Sequence, residues 1–271
     1  MAETLSFENE YGAFTVGSKG ASLLVLKISG QDLLYDFGNE SGNWAAGAVM
    51  FPFPIRMASG HVMNYAGRQF NWPINDEKHR AALHGFTTEQ EFQLSYANEG
   101  IKCVFSYNGR HDFYPFPCTL ELHYALRKEG FFFKAFVQND GDRTLPFHLG
   151  WHPYFSVKSR WELSPDTTFR LAKNEFSHPG PKLFHAGHDW SKEVDGAFFF
   201  AENPRLSNED YSLEISALAS IVQIFRPAGA SFIAIEPITG LGHPDFDWLE
   251  VTPGERREIS GSIKLYSRGK Q

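Results

Sequence analysis

Apolar and polar residues alternate with a period of two along most of this chain, the spacing a half-buried strand requires. Ala13–Val16 and Ala21–Ile28 show it on either side of Gly17-Ser-Lys-Gly20. Phe92–Tyr96 and Ile101–Tyr107 flank Ala97-Asn-Glu-Gly100, and Thr119–Leu126 and Phe131–Gln138 flank Arg127-Lys-Glu-Gly130. Short glycine-bearing links between alternating runs predict β-hairpins. Further runs cover Tyr211–Ser216, Ser220–Phe225, Phe232–Glu236 and Arg257–Leu265. No long window carries a helical period. Many strands joined by short turns predict an all-β fold, a large antiparallel β-sandwich. The stretch from Leu163 to Asp195 is less regular and reads as loops over one face. With no internal repeat and no linker, residues 1–271 read as a single domain.

Composition adds to this picture at four points. Aromatic residues make up 15% of the 271 positions, 26 of them Phe, which favours sheets packed through large rings. The net charge of −7 argues against nucleic acid, whose phosphates need a basic surface. No apolar run is long enough to span a bilayer, and the acidic start lacks a signal-peptide core, so no membrane role and a cytoplasmic location are expected. Cys103 and Cys118 are too few for a disulfide scaffold and read as reduced thiols, although neighbouring predicted strands carry them.

The chemistry concentrates in Pro146-Phe-His-Leu-Gly-Trp-His-Pro-Tyr-Phe155, two histidines among four rings. Flat rings suit the C–H face of a pyranose, and imidazole exchanges protons near neutral pH. Taken alone, His152 is as readily a buried histidine bonded to a carbonyl. Asp195 before Gly196 reads as a turn pair, and Glu255 in Pro253-Gly-Glu255 as a turn acid. Arg56 could pair with a surface acid, His84 before Gly85 could be a turn residue, and Glu236 is a site carboxylate or the polar end of a strand. His178, His185 and His188 with Asp189 form a second histidine-rich patch, read as an exposed loop and not as a zinc site.

Five landmarks in order resemble the aldose 1-epimerase (galactose mutarotase-like) family. They are Pro54-Ile-Arg56 with Asn75, Leu83-His-Gly-Phe86, Trp151-His-Pro-Tyr-Phe155, Val194-Asp-Gly-Ala-Phe198 and Thr252-Pro-Gly-Glu255. Ile55 before Arg56 and Ser156 after Phe155 depart from the larger members, as in a short, divergent bacterial-type branch. The resemblance implies the galactose mutarotase-like supersandwich and an isomerase that interconverts the α and β anomers of an aldose. It implies Glu255 as base and His152 as acid, on opposite sides of C1 and the ring oxygen. Arg56, His84, Asp195, Trp151 and Glu236 would bind the sugar.

Ring opening needs only proton transfers, so neither cofactor nor metal is expected. The expected partner is a small-molecule sugar, the chain a monomer or homodimer. A hexose 6-phosphate substrate would need two or more basic residues gathered at the site mouth, for which Arg56, Arg68, Lys78 and Arg80 are the candidates. A glycosidase using Glu236 and Glu255 would leave His84 and His152 without a role. A non-catalytic carbohydrate-binding module would need neither acid nor base.

Overall fold

The computed structural model describes residues 3–38, 45–57, 59–157, 160–164, 169–171, 183–184, 189–219, 221–241 and 248–268. Two large sheets dominate. The first runs, in spatial order, through Trp161–Ser164, Arg205–Asn208, Tyr211–Ile215, Arg256–Ser267, Gly130–Asn139, Cys118–Arg127, Gly100–Tyr107 and Gln93–Ala97. The second runs through Leu183–Phe184, Phe169–Leu171, Val194–Phe199, Ile221–Arg226, Phe232–Ile238, Gly150–Trp151 and Val49–Met50, with Tyr154–Ser156 also paired to Phe232–Ile238. A smaller sheet holds Thr4–Asn9, Gly12–Gly17, Ser22–Ile28 and Gln31–Asp32. Paired strands are antiparallel, and Thr87–Glu89 is a short 3-10 turn. The all-β antiparallel expectation is met.

The hairpins fall where the alternation places them. In Cys118–Arg127 the side chains of Leu120, Leu122 and Tyr124 are buried, while Glu121 and His123 between them are partly exposed. Phe131, Phe133, Ala135 and Val137 do the same in the paired strand Gly130–Asn139. These faces join one core with Val222, Ile224, Ile233 and Ile235 from the second sheet. Cys103 and Cys118 are free and buried. Cys103 lies opposite Leu122 and Cys118 opposite Tyr107, so their register keeps them from facing each other.

Two expectations need correction. The stretch from Leu163 to Asp195 is not all loop where it is described. Phe169–Leu171 and Leu183–Phe184 add edge strands to the second sheet, too short for alternation to reveal. His178, His185 and His188 lie outside the described residues. Trp151 is not at a sugar-facing surface. It is 2% exposed, its ring lies parallel to Phe133 at 5.6 Å, and its Nε1 donates to the Gly47 carbonyl at 3.1 Å. Successive side chains of an extended segment point to opposite sides. Trp151 therefore ties the core together while its neighbour His152 faces away.

Candidate active site

The second sheet carries the polar cluster. Glu236 belongs to Phe232–Ile238, an almost wholly buried strand, and lies opposite Gln223 of Ile221–Arg226. Asp195 belongs to Val194–Phe199, next along the sheet. The Asp195-Gly196 pair is therefore part of a strand and not a turn. His152 follows Gly150–Trp151 directly. Its backbone N–H donates to the Ala48 carbonyl at 3.0 Å and its carbonyl accepts from Gly47 at 2.8 Å, so the main chain that aims the ring is held on both sides.

Arg56 and His84 arrive from loops that run side by side. Met57 N–H bonds Ala82 O at 2.9 Å, His84 N–H bonds Ile55 O at 3.0 Å, and Phe86 N–H bonds Phe51 O at 3.0 Å. Asn75 clamps the segment, donating to Leu83 O at 3.0 Å and accepting from Leu83 N–H at 2.7 Å. Ile55 and His84 both adopt left-handed backbone, φ 50° and 62°, which β-branched and bulky residues rarely tolerate. Such conformations persist where surrounding structure enforces them, and they gather at functional sites. Gly85, at φ 65°, sits where a Cβ would come within 2.1 Å of Phe51 O, so the His84 step requires glycine next.

The side chains converge. His152 Nε2 lies 3.6 Å from Glu236 Oε1, with the two side chains 7% and 2% exposed. The His84 ring meets His152 edge-on at 5.1 Å, and the Tyr154 ring stacks on His152 at 4.7 Å. Arg56 donates from Nε to Asp76 at 2.5 Å and from Nη1 to Asp195 at 3.4 Å. Gln223 Nε2 donates to Asp195 Oδ1 at 2.7 Å. Glu236 Oε2 and Gln223 Oε1 are buried with no hydrogen-bond partner among the described residues, an arrangement that suits hydroxyl donors.

Burial sets the electrostatics. It holds the His152 imidazole down at about 3. Burial, with the charges of His152 and Arg56, keeps His84 well below its ordinary value. The Glu236 carboxyl is pushed well above its ordinary range by burial and then by Asp195, against the pull of Arg56. Burial also raises the Tyr154 hydroxyl, with Glu236 and Asp195 adding to it. For Asp76, burial pushes upward but is outweighed by hydrogen bonds from Arg56 and His79, which hold the carboxyl low. A pair of titratable groups displaced in opposite directions is a mark of acid–base sites.

Glu255 is not part of this cluster. It is exposed in the turn between Leu249–Val251 and Arg256–Ser267, and its carboxylate accepts from Thr252 Oγ1 in the same turn. Its carbonyl accepts from Asn139 N–H at 2.9 Å, closing the end of the first sheet. The carboxylate that faces His152 is that of Glu236. The expected geometry changes as well, since the histidine and the carboxylate lie side by side, 3.6 Å apart.

Arg56, His84, His152, Asp195 and Glu236 are thus brought together, while Trp151 and Glu255 are placed elsewhere. Three members escaped the sequence reading. Gln223 stood inside the apolar run Ile221–Phe225, where a lone polar residue is itself a signal. Asp76 follows Asn75 directly, and Tyr154 is one of several rings in its segment.

Comparison with known proteins identifies the fold and the family. The aldose 1-epimerase profile matches residues 3–211. The Escherichia coli (strain K12) protein YihR, described as uncharacterized, is 28% identical over 253 residues, covering 91% of this chain and 78% of that protein. A galactose mutarotase-like protein from Clostridium acetobutylicum superposes with TM-score 0.83 at 14% identity, covering 98% of this chain and 96% of that one. A galactose 1-epimerase from Lactobacillus acidophilus NCFM gives TM-score 0.77 at 15% identity, covering 98% and 99%. The last two establish the shared fold. With the profile spanning most of its length, the chain belongs to the aldose 1-epimerase family.

Proposed function

We propose that the protein is an aldose 1-epimerase that opens and recloses the ring of a neutral aldose, with Glu236 as base and His152 as acid. The observation that carries this reading is the buried contact between His152 Nε2 and Glu236 Oε1 at 3.6 Å. The hydroxyl oxygen on C1 and the ring oxygen are bonded to the same carbon. An acid and a base side by side can therefore reach both from one face of the sugar.

The proton balance closes within the pair. On opening, Glu236 takes the C1 hydroxyl proton, the C1–O5 bond breaks, and His152 protonates O5. The open-chain sugar turns about C1–C2. On closing, His152 takes the O5 proton back, O5 attacks the other face of C1, and Glu236 returns its proton to the carbonyl oxygen. Before and after each transfer the pair holds one proton and no net charge, as a buried pair favours. Burial favours neutral His152 with protonated Glu236, the state reached when the ring is open. Activity should fall on the acid side as His152 stays protonated alongside protonated Glu236, and on the alkaline side as the pair loses its one proton. Both limbs belong to the pair.

His84 and Asp195 would hold sugar hydroxyls, and Arg56 would fix Asp195 in place. Arg56 is already bonded to two carboxylates, and Asp195 and Glu236 stand beside it. That disfavours an anionic group on the substrate. Arg68, Lys78 and Arg80 are exposed, and among the described residues no side-chain contact joins them to Arg56.

Polarimetry of freshly dissolved α-anomers of several aldoses, with and without a 6-phosphate, tests the proposal. Acceleration of an unphosphorylated sugar is expected. No acceleration of any sugar would overturn the reading, and acceleration confined to phosphorylated sugars would overturn the neutral-substrate assignment.

A further inference from the structure

Asp76 reaches the polar cluster through Arg56. Arg56 Nε donates to Asp76 Oδ2 at 2.5 Å, while Nη1 donates to Asp195 Oδ2 at 3.4 Å. One guanidinium is thus shared between two carboxylates. Asp76 is the more sheltered of them, its side chain 11% exposed against 40% for Asp195. Attraction between opposite charges grows as water is withdrawn, so the bond to Asp76 is the firmer anchor.

The chain around Asp76 is shaped to present this carboxylate. Asp76 N–H donates to Ala81 O at 3.1 Å, and Ala81 N–H returns to Asp76 O at 3.1 Å. Inside the loop so closed, His79 folds over the side chain. Its N–H donates to Asp76 Oδ1 at 3.3 Å, and its Nδ1 lies 3.0 and 2.9 Å from the two carboxylate oxygens. Arg80, the next residue, adopts left-handed backbone at φ 52°, which bulky residues rarely take unless surrounding structure enforces it. On the other side Asn75 clamps Leu83, and an antiparallel bridge pairs Leu83 with Arg56. The loop that carries Asp76 is therefore fastened to the segment that carries Arg56. Asp76 is also charged. Burial pushes its carboxyl upward, but hydrogen bonds from Arg56 and His79 outweigh that and hold it low.

The charges then decide what can enter. With Asp195 alone, Arg56 would be neutralised once and would keep Nε to offer an incoming anion, for which a guanidinium is well shaped. With Asp76 added, two carboxylates stand against one guanidinium, and the Glu236 carboxyl lies close enough to feel Arg56 and Asp195. A phosphate or carboxylate on the sugar meets repulsion there, and a hydroxyl does not.

We infer that Asp76, braced by His79, is a specificity-determining residue: it holds Arg56 and offsets its charge, so that the site takes a neutral sugar and turns away an anionic one. This rests on the proposed function and names the residue behind its preference for a neutral substrate.

The test measures kcat and KM for mutarotation of glucose, glucose 6-phosphate and glucuronic acid in the wild type, Asp76→Asn and Asp76→Glu. Asp76→Asn keeps the size of the side chain and an acceptor for Arg56 while removing the charge. It should narrow the preference for glucose over the anions, in kcat/KM, by about tenfold, the scale of one like-charge contact removed, and should do so through lower KM for the anions. Asp76→Glu keeps the charge and should restore most of the preference. A merely structural role would weaken all three sugars alike in Asp76→Asn, and an unchanged preference would overturn the assignment. So would an equal loss of preference in Asp76→Asn and Asp76→Glu. Should Asp76→Asn fail to fold, His79→Gln, at a partly exposed loop position, carries the same comparison: a several-fold narrower preference is expected, and an unchanged one overturns the assignment. In an active enzyme these failures remove Asp76 and keep the proposed function. A wild type inactive on every sugar would remove both.

Discussion

Glu236 and Glu255 occupy neighbouring stretches of chain and opposite environments. Glu236 sits in a strand buried on both faces, 2% exposed, against a histidine and two charged neighbours. Glu255 sits in an exposed turn, bonded to a threonine of that turn. The first is held where a proton can be exchanged out of water, and its affinity for that proton is raised by burial. The second keeps its solvent, and its backbone closes the junction of Leu249–Val251 and Arg256–Ser267 with Asn139. A glutamate in a recognisable turn sequence marks a place in the fold. A glutamate that interrupts a buried apolar strand must be compensated, and here it stands against His152 and beside Arg56.

The largest expected effect comes from the buried side of this comparison. His152→Asn should lower kcat for mutarotation by about 10²–10⁴-fold, the usual worth of one acid–base group. Combined with Glu236→Gln it should cost little more than the worse single change, because the two act as one unit. Fully additive losses in polarimetric rates would break the pair apart.

The other side chain of the same segment should fail differently. Trp151→Ala removes a ring stacked on Phe131 and Phe133 and should cost about 3–5 kcal/mol in urea unfolding. Material that remains folded should keep turnover nearer the wild-type value than His152→Asn does. A stable Trp151→Ala protein with lost sugar binding would restore Trp151 to the site.

A smaller effect concerns pH. His152 is held at about 3, His148 at about 4 and His84 well below its ordinary value, all chiefly by burial. The unfolded chain takes up protons on these rings as pH falls below about 6.5, while the folded chain does not. Their contribution to stability is therefore full above that pH and lost as pH falls toward the folded values. Glu236 has the opposite sign. Its raised value means that the unfolded chain releases a proton above about pH 4.3 that the folded chain keeps, so stability drains as pH rises through the folded value. In urea titrations below about pH 6, the stability of His152→Asn relative to wild type should improve by up to about 1.4 kcal/mol per pH unit. A constant difference between the two proteins would show that the ring is charged in the folded state.

Much of this molecule was legible in the chain because strand alternation is a local signal. The hairpins around Gly100 and Gly130 lie where turn residues interrupt apolar runs, and His84, His152, Arg56 and Asp195 do converge. What escaped was decided by environment. Asp195 looked like a turn residue because Asp-Gly is a common turn pair, yet pairing with Phe225 draws it into a strand. Trp151 and His152 share one aromatic segment, and only the direction of each side chain assigns one to the core and the other to the site. Sequence resemblance points to Glu255 ahead of Glu236. Solvent exposure, which the sequence does not display, separates them.

The central claim is that the working carboxylate is Glu236 and not Glu255. The direct test is polarimetry on a fresh α-aldose with Glu236→Gln and Glu255→Gln side by side, at equal concentrations of folded protein. The account predicts a loss of about 10²–10⁴-fold for Glu236→Gln and a change within a few-fold for Glu255→Gln. Near-wild-type rates in Glu236→Gln, or a collapse in Glu255→Gln alone, would contradict it.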